Sequence, residues 1–349
     1  MPCGIRTARG CGAEAHGDAV PLFRRNAAKA TTIFYATDVH GSERTWRKFL
    51  NAASFYGADV LVMGGDVMGK LVIPVIRAAD GSHRATIHGR VERLETAADV
   101  SAARERIANL GFYDTVLPED EYRVIRDDPA AIESMWEHLA GERLERWISM
   151  AEDRLGPAGI RCYVSGGNDD LTEVMTRLPA TGTRSFVGCE GRVVPLDEQH
   201  LMVSLPYVNP TPWKTPREAP EAELSEMIEE VVAGLPDPSS AIFNFHAPPV
   251  DSTLDTCPML DDSTDPPSQI VRAGQPVLYG AGSTAVRDAL SRHQPLLGLH
   301  GHIHESQAAA KVGRTLCINP GSEYGEGVLR GCLITLADGR VKGYQMTAG

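Results

Sequence analysis

The sequence predicts an α/β protein in which strands dominate and helices lie between them. Three observations carry that expectation. Apolar, β-branched or aromatic runs of strand length recur from residue 31 to the C-terminus; helical periodicity separates several of them; and the runs stop, one after another, at Asp, Asn or His. Continuous apolar strands joined through a helix pack as right-handed βαβ units with parallel pairing. Open α/β sheets place their sites beyond the carboxyl ends of such strands, where these polar residues fall.

Thr31 to Thr37 (TTIFYAT) reads as a buried strand that stops at Asp38-Val39-His40-Gly41. Ser42 is an acceptable N-cap, and Trp46, Phe49, Leu50 and Ala53 then recur at helical spacing as far as Tyr56. Ala58 to Met63 is a second buried strand, stopping at Gly64-Gly65-Asp66. From about residue 70 to 160 the chain reads as a largely helical insertion packed over or beside the sheet. It holds a strand at Leu71 to Ile76, hairpin-like alternation at Arg84 to Glu95, and helices at Ala98 to Leu110 and Pro129 to Leu155. No Pro/Gly/Ser linker isolates it, so it is not expected to be an independent domain.

Arg161 to Ser165 is the next strand and ends in Gly166-Gly167-Asn168-Asp169-Asp170. Leu201 to Leu205 follows, then a Pro-rich loop (Pro206 to Pro220) and an amphipathic helix (Glu221 to Gly234). Ala241 to Phe245 is a strand ending at His246, followed by a polar loop from Val250 to Gln275 and a helix from Ser283 to His293. The strand Pro295 to Leu299 runs into His300-Gly301-His302-Ile303-His304. Ala308 to Val312, Thr315 to Asn319 and a hairpin around Ala337-Asp338-Gly339 complete the chain.

With 42% hydrophobic and 23% charged residues, the 349-residue chain has the composition of an ordinary globular protein. Its net charge of -12 argues against a nucleic-acid surface, because phosphate-backbone affinity comes mostly from Lys and Arg. Seven scattered cysteines with no C-x-x-C pair favour free thiols in a reducing compartment. No apolar run reaches the roughly 18 residues needed to span a bilayer. Residues 1–30 lack the apolar core of a secretory signal. The expected organisation is a disordered tail over 1–30 and one domain over 31–349, in the cytoplasm, with no membrane partner.

Five strand ends therefore carry five polar clusters: Asp38 with His40, Asp66, Asn168, His246, and His302 with His304. Two divalent cations about 3.5 to 4 Å apart need a shared carboxylate and several further oxygen and nitrogen donors. Asp, His and Asn suit Mn²⁺, Fe²⁺ or Zn²⁺ without thiolates. Singly, each has a plainer use: Asp38 could cap the next helix, Asp66 and Asn168 could serve turns, and His246 could be a core imidazole. Their joint placement favours two metal ions.

The order D-x-H, G-G-D, G-N-x-D, a lone His after a strand, then G-H-x-H resembles that of the calcineurin-like metallophosphoesterases. Here it stands as Asp38-Val39-His40, Gly64-Gly65-Asp66, Gly167-Asn168-Asp169-Asp170, Phe245-His246 and Gly301-His302-Ile303-His304, over about residues 33 to 335. The resemblance implies a four-layer αββα sandwich, two mixed β-sheets flanked by helices, with a dinuclear site at its centre. It implies one metal on Asp38, His40 and His304, another on Asn168, His246 and His302, and Asp66 bridging both. Manganese is the first choice, with Fe, Zn, Co or Ni as alternatives. The implied activity is hydrolysis of a phosphoric mono- or diester, of a small organophosphate or nucleotide, by a metal-bridging hydroxide.

One position departs from the family. G-N-H-D places a histidine where this chain has Asp169, the catalytic-acid candidate by matched position. A carboxyl of ordinary pKa near 3.9 is ionised at neutral pH and donates no proton. Asp170-x-x-Glu173 reads as a capping box. His300 reads as a support or core residue, His83 and His88 as surface, Asn319 to Ser322 as a turn that could border the site, and Arg287 and Arg314 as candidate phosphate contacts whose plainer reading is solvated arginines. The insertion, holding no matched ligand, is expected to govern substrate choice and not chemistry. Two further functions compete: a metal-binding scaffold for protein partners, and a nuclease. The full ligand set weighs against the first and the acidic balance against the second.

Overall fold

The computed structural model describes residues 30–179, 182–264 and 266–349, so the tail expected over 1–30 lies, but for Ala30, outside the described residues. Two six-stranded sheets form its centre. The first runs in the order Arg340–Ala348, Arg330–Ala337, Thr31–Ala36, Val60–Met63, Arg161–Val164, Phe186–Gly188. Its four strands from Thr31–Ala36 to Phe186–Gly188 are parallel, and the C-terminal hairpin joins antiparallel. The second runs Ala308–Val312, Thr315–Asn319, Leu297–Leu299, Ile242–Phe245, Leu201–Leu205, Val193–Pro195, with four parallel strands between two antiparallel edges.

Side chains alternate faces along a strand, so each sheet has two surfaces to bury. In the first strand, Ile33 and Tyr35 point into a cluster with Val60, Val62, Ile242, Leu297, Leu299 and Ile318, which lies between the two sheets. Phe34 and Ala36 point the other way, onto Trp46, Phe49, Leu144 and Trp147 of two helices. On the far side, Phe243 and Phe245 meet Leu224, Ile228, Val286 and Leu290 of helices Glu221–Val232 and Thr284–His293. Helix, sheet, sheet, helix: the protein is a mixed α/β sandwich of four layers.

Helix Glu43–Tyr56 begins where Ser42 accepts from the backbone N–H of Thr45 and ends at Gly57, whose φ of 64° closes the last turn. Its Trp46 stacks on Trp147 of helix Pro129–Leu155, with ring centroids 4.6 Å apart and planes 3° from parallel. Both rings are fully buried, so replacing Trp147 with Ala would cost about 3–5 kcal/mol.

The segment read as one insertion divides in two. Strands Arg90–Leu94, His83–Ile87, Val72–Arg77 and Tyr113–Pro118 form a separate sheet under helix Ala97–Asn109, with its own core of Val75, Ala85, Ile87, Leu94, Ala103 and Ile107. Helix Pro129–Leu155 instead covers the first large sheet. The edge strands Phe186–Gly188 and Val193–Pro195 escaped the sequence reading, being only three residues long. The loop expected at 250–275 carries short paired strands, among them Thr256–Pro258 with Leu278–Gly280. Among the described residues, no helix is long and apolar enough to cross a membrane.

Candidate metal centre

Each of the five polar clusters follows the carboxyl end of a parallel strand, three in the first sheet and two in the second. The sandwich brings these ends to one place. Asp38, His40, Asp66 and His304 offer donor atoms that all lie within 4.8 Å of one another, and so do Asp66, His246 and His302. Asp66 belongs to both groups. Asn168 joins the second, its Oδ1 lying 2.8 Å from Nδ1 of His302. The seven residues singled out from the sequence are thus gathered into one cluster.

The loops reach it by unusual backbone. Asp38, His40, Asp66 and His302 have φ of 55°, 40°, 47° and 68°, a left-handed conformation that non-glycine residues seldom adopt. Such strain persists only where surrounding bonds over-determine it. Here the two loops are laced together: Asp38 N donates to Gly65 O, His40 N to Asp66 O and Gly41 N to Val67 O, at 2.8–2.9 Å. Glycine is required where loops touch ligands. A Cβ on Gly65 would fall 2.2 Å from Nδ1 of His246, and one on Gly167 would fall 2.3 Å from Oδ1 of Asp66.

The electrostatics are those of buried acids and imidazoles held close together. Burial pushes Asp38 and Asp66 up, but His246 and its neighbours outweigh it, holding Asp38 at about 2 and Asp66 well below the carboxylate range. Burial likewise opposes charge on His246, yet Asp66 and Asp38 raise it to about 9. Burial prevails at His40 and His302, the latter pushed down to about 4. His246 Nε2 lies 3.3 Å from Asp66 Oδ2, and both ring nitrogens of this fully buried residue lack a hydrogen-bond partner, as does Nδ1 of His40. Buried polar atoms rarely go unpaired. Imidazole nitrogens beside carboxylates are donors that suit a divalent cation, and these buried Asp and His groups could hold metal ions.

Around the donors stands a supporting layer. Asp170 does not cap a helix; helix Thr172–Met175 has no side-chain cap. Fully buried, Asp170 instead accepts from the backbone N–H of Val67, Met68 and Gly167, tying the Asp66 loop to the Asn168 loop. Three donors on one carboxylate are worth more here than a cap on a four-residue helix. His300 Nδ1 lies 2.9 and 3.0 Å from the carbonyls of Phe245 and Ala247, on either side of His246. Asn319 Nδ2 donates to Gly301 O and Ile303 O, and Ser322 Oγ donates to Asp38 O, so the turn at 319–322 does border the site.

Two residues at the site carried no sequence signal. Lys70 forms an ion pair with Asp169, whose backbone N–H donates to Oδ1 of Asp66 at 2.9 Å. The ring of Tyr324 lies 4.6 Å from that of His40. Burial and the charge of Asp66 push Asp169 up to about 7, against the pull of Lys70, well above an isolated carboxyl. Tyr324 sits in a short 3₁₀ turn and Lys70 beyond the motif, where neither period nor spacing marks them. Arg287 and Arg314 are taken up by main-chain carbonyls. His83 lies on its hairpin strand and His88 at the hairpin turn, with φ of 49°.

The insertion also reaches the site loops. Tyr113 Oη accepts from Gly69 N, Trp136 Nε1 donates to Gly69 O, and buried Arg143 donates to Gly41 O, at 2.7–2.8 Å.

No family model and no curated protein matches the chain. Solved structures do. One, carrying no protein name, shares 15% identity with a TM-score of 0.52, over 91% of this chain and 99% of its own. TT1561 of Thermus thermophilus shares 14% identity with a TM-score of 0.49, again over 91% and 99%. At 15% identity the first of these likenesses is one of fold alone.

Proposed function

We propose that this protein is a phosphoric ester hydrolase that uses two divalent cations, Mn²⁺ first among them. One observation carries the reading: Asp66 is common to two separate groups of Asp and His donors at the meeting point of five strand ends. The order of those donors along the chain, which resembles that of the calcineurin-like metallophosphoesterases, selects phosphoester hydrolysis among metal-dependent reactions.

Asp38, His40 and His304 would hold one ion, Asn168, His246 and His302 the other, with Asp66 between. Bound there, the ions would polarise a phosphoryl group and lower the pKa of water. The residues do the rest. Buried Asp38, Asp66 and His246 keep water from the back of the cluster, each at most 1% exposed. Lys70, with its side chain 45% exposed, and His304, at 32%, mark the side from which an ester approaches. The Lys70 ammonium supplies positive charge for a non-bridging phosphoryl oxygen, and Asp169 holds that ammonium in place.

The deciding experiment is a panel of aryl monoesters, aryl diesters, cyclic nucleotides and nucleotides, assayed with Mn²⁺ and after chelation. Hydrolysis of at least one class that chelation abolishes and Mn²⁺ restores is the expected result. No hydrolysis by protein that demonstrably holds two ions would favour a metal-binding scaffold.

A further inference from the structure

Asn168 ends a strand of the first sheet, but the segment that grips it comes from the second. Residues 206–220 follow strand Leu201–Leu205 and clasp Asn168 twice. Arg217 N donates to the main-chain oxygen of Asn168 at 3.2 Å. Thr215 Oγ1 accepts from Nδ2 of Asn168 at 2.9 Å.

The threonine is itself held. Its hydroxyl donates to Oε1 of Glu218 at 2.8 Å, and its backbone N–H donates to the same oxygen at 2.7 Å. Thr211 adds two more donors to that carboxylate, from Oγ1 at 2.6 Å and from N at 3.0 Å. Burial pushes the Glu218 carboxyl up, but these donors outweigh it and hold it below its ordinary range. It is a carboxylate at neutral pH, able only to accept.

A hydroxyl has one proton. Because Glu218 takes the Thr215 proton, the hydroxyl can offer only a lone pair to Asn168. It can therefore receive the amide N–H₂ and must reject the amide oxygen. We propose that Thr215, locked by Glu218, is a positioning residue that sets the Asn168 side chain with Oδ1 toward the donor cluster and Nδ2 away from it. The orientation rests on hydrogen bonds alone; its consequence for metal binding rests on the dinuclear reading above.

An asparagine needs such a device where an aspartate would not. The two ends of an amide have nearly the same shape, so packing does not choose between them. Only one end has a lone pair for a cation; reversed, the side chain presents two N–H groups to it. Outer partners that orient a ligand in this way are worth about 10–100-fold in metal affinity.

Three variants of the full-length chain test this: Thr215→Val, which keeps the shape without the hydroxyl, Thr215→Ala, and Thr215→Ser, which restores the hydroxyl. Thr215 is half-buried on a loop, so all three are expected to fold. In metal-free protein, NMR exchange of the Asn168 side-chain amide protons should be slow in wild type and Thr215→Ser, and roughly tenfold faster in Thr215→Val and Thr215→Ala. In Mn²⁺ titrations followed by equilibrium dialysis, wild type and Thr215→Ser should take up two ions. Thr215→Val should keep one site and bind the second about 10–100-fold more weakly. Unchanged amide exchange in Thr215→Val and Thr215→Ala overturns the orientation, and unchanged affinity at both sites overturns its role. Wild type that binds no Mn²⁺, with Thr215-dependent amide protection intact, would end the dinuclear reading and leave the orientation standing.

Discussion

Asp66 Oδ2 lies 3.3 Å from Nε2 of His246, though the two residues come from different sheets and are 180 positions apart in the chain. The same carboxylate lies 3.7 Å from Nε2 of His40. One carboxylate therefore faces imidazoles of both donor groups, and its loss should be felt by both.

Wild-type protein reconstituted with Mn²⁺ is expected to hold two ions per chain by elemental analysis. At a free ion concentration 100 times the dissociation constant, each site should add about 2.7 kcal/mol of stability, seen as a higher Tm than in chelated protein. Asp66→Asn should be the most damaging single change among the seven donors, because it weakens both sites. Near wild-type metal content in that variant would show that Asp66 does not bridge.

Asp169 stands where a proton donor would be sought, but Lys70 occupies its carboxylate. A cation that engages Asp66 would remove part of the push that raises Asp169 and would itself favour the ionised form. Asp169→Asn should then lower kcat for an aryl phosphodiester by less than about tenfold, below the 10²–10⁴ range of acid catalysis. A thousandfold loss with metal content intact would make Asp169 a working acid.

Lys70→Met keeps the aliphatic stem and removes the charge. If the ammonium meets a phosphoryl oxygen, kcat/KM should fall by about 10–100-fold, the worth of a charged hydrogen bond, while two ions still bind. An unchanged kcat/KM would reduce Lys70 to a surface partner of Asp169. The double variant with Asp169→Asn measures the coupling between the two directly.

Residues 70–160 are expected to govern substrate choice and not the chemistry; Tyr113 and Trp136 nonetheless hold both polar groups of Gly69, beside the site loops. A Cβ on Gly69 would fall 1.9 Å from the carbonyl oxygen of Gly111, so these two segments touch by their backbones. Gly69→Ala should therefore lower metal affinity although Gly69 is no ligand. Tyr113→Phe should cost about 1–3 kcal/mol in chemical denaturation, the penalty for a buried N–H left unpaired. Unaltered metal affinity in Gly69→Ala would show that the insertion and the site are mechanically independent.

Much of this molecule is determined locally. Thr31–Ala36 and Val60–Met63 are legible because a strand buried on both faces must be apolar throughout, and helix Glu43–Tyr56 because one stripe meets a core. The seven donors are legible because each follows such a strand and is of a type that binds hard or borderline cations. What the sequence does not carry is who meets whom. Asp170 matches a capping box, but folding offers it three backbone donors, two from the Asp66 loop and one from its own. Lys70, Tyr324 and Thr215 belong to no repeat or motif, and reach the site only because loops from different elements converge over the strand ends. Periodicity records which face of an element is buried; the partners across that face depend on chain paths tens to hundreds of residues apart, and those only the folded sandwich decides.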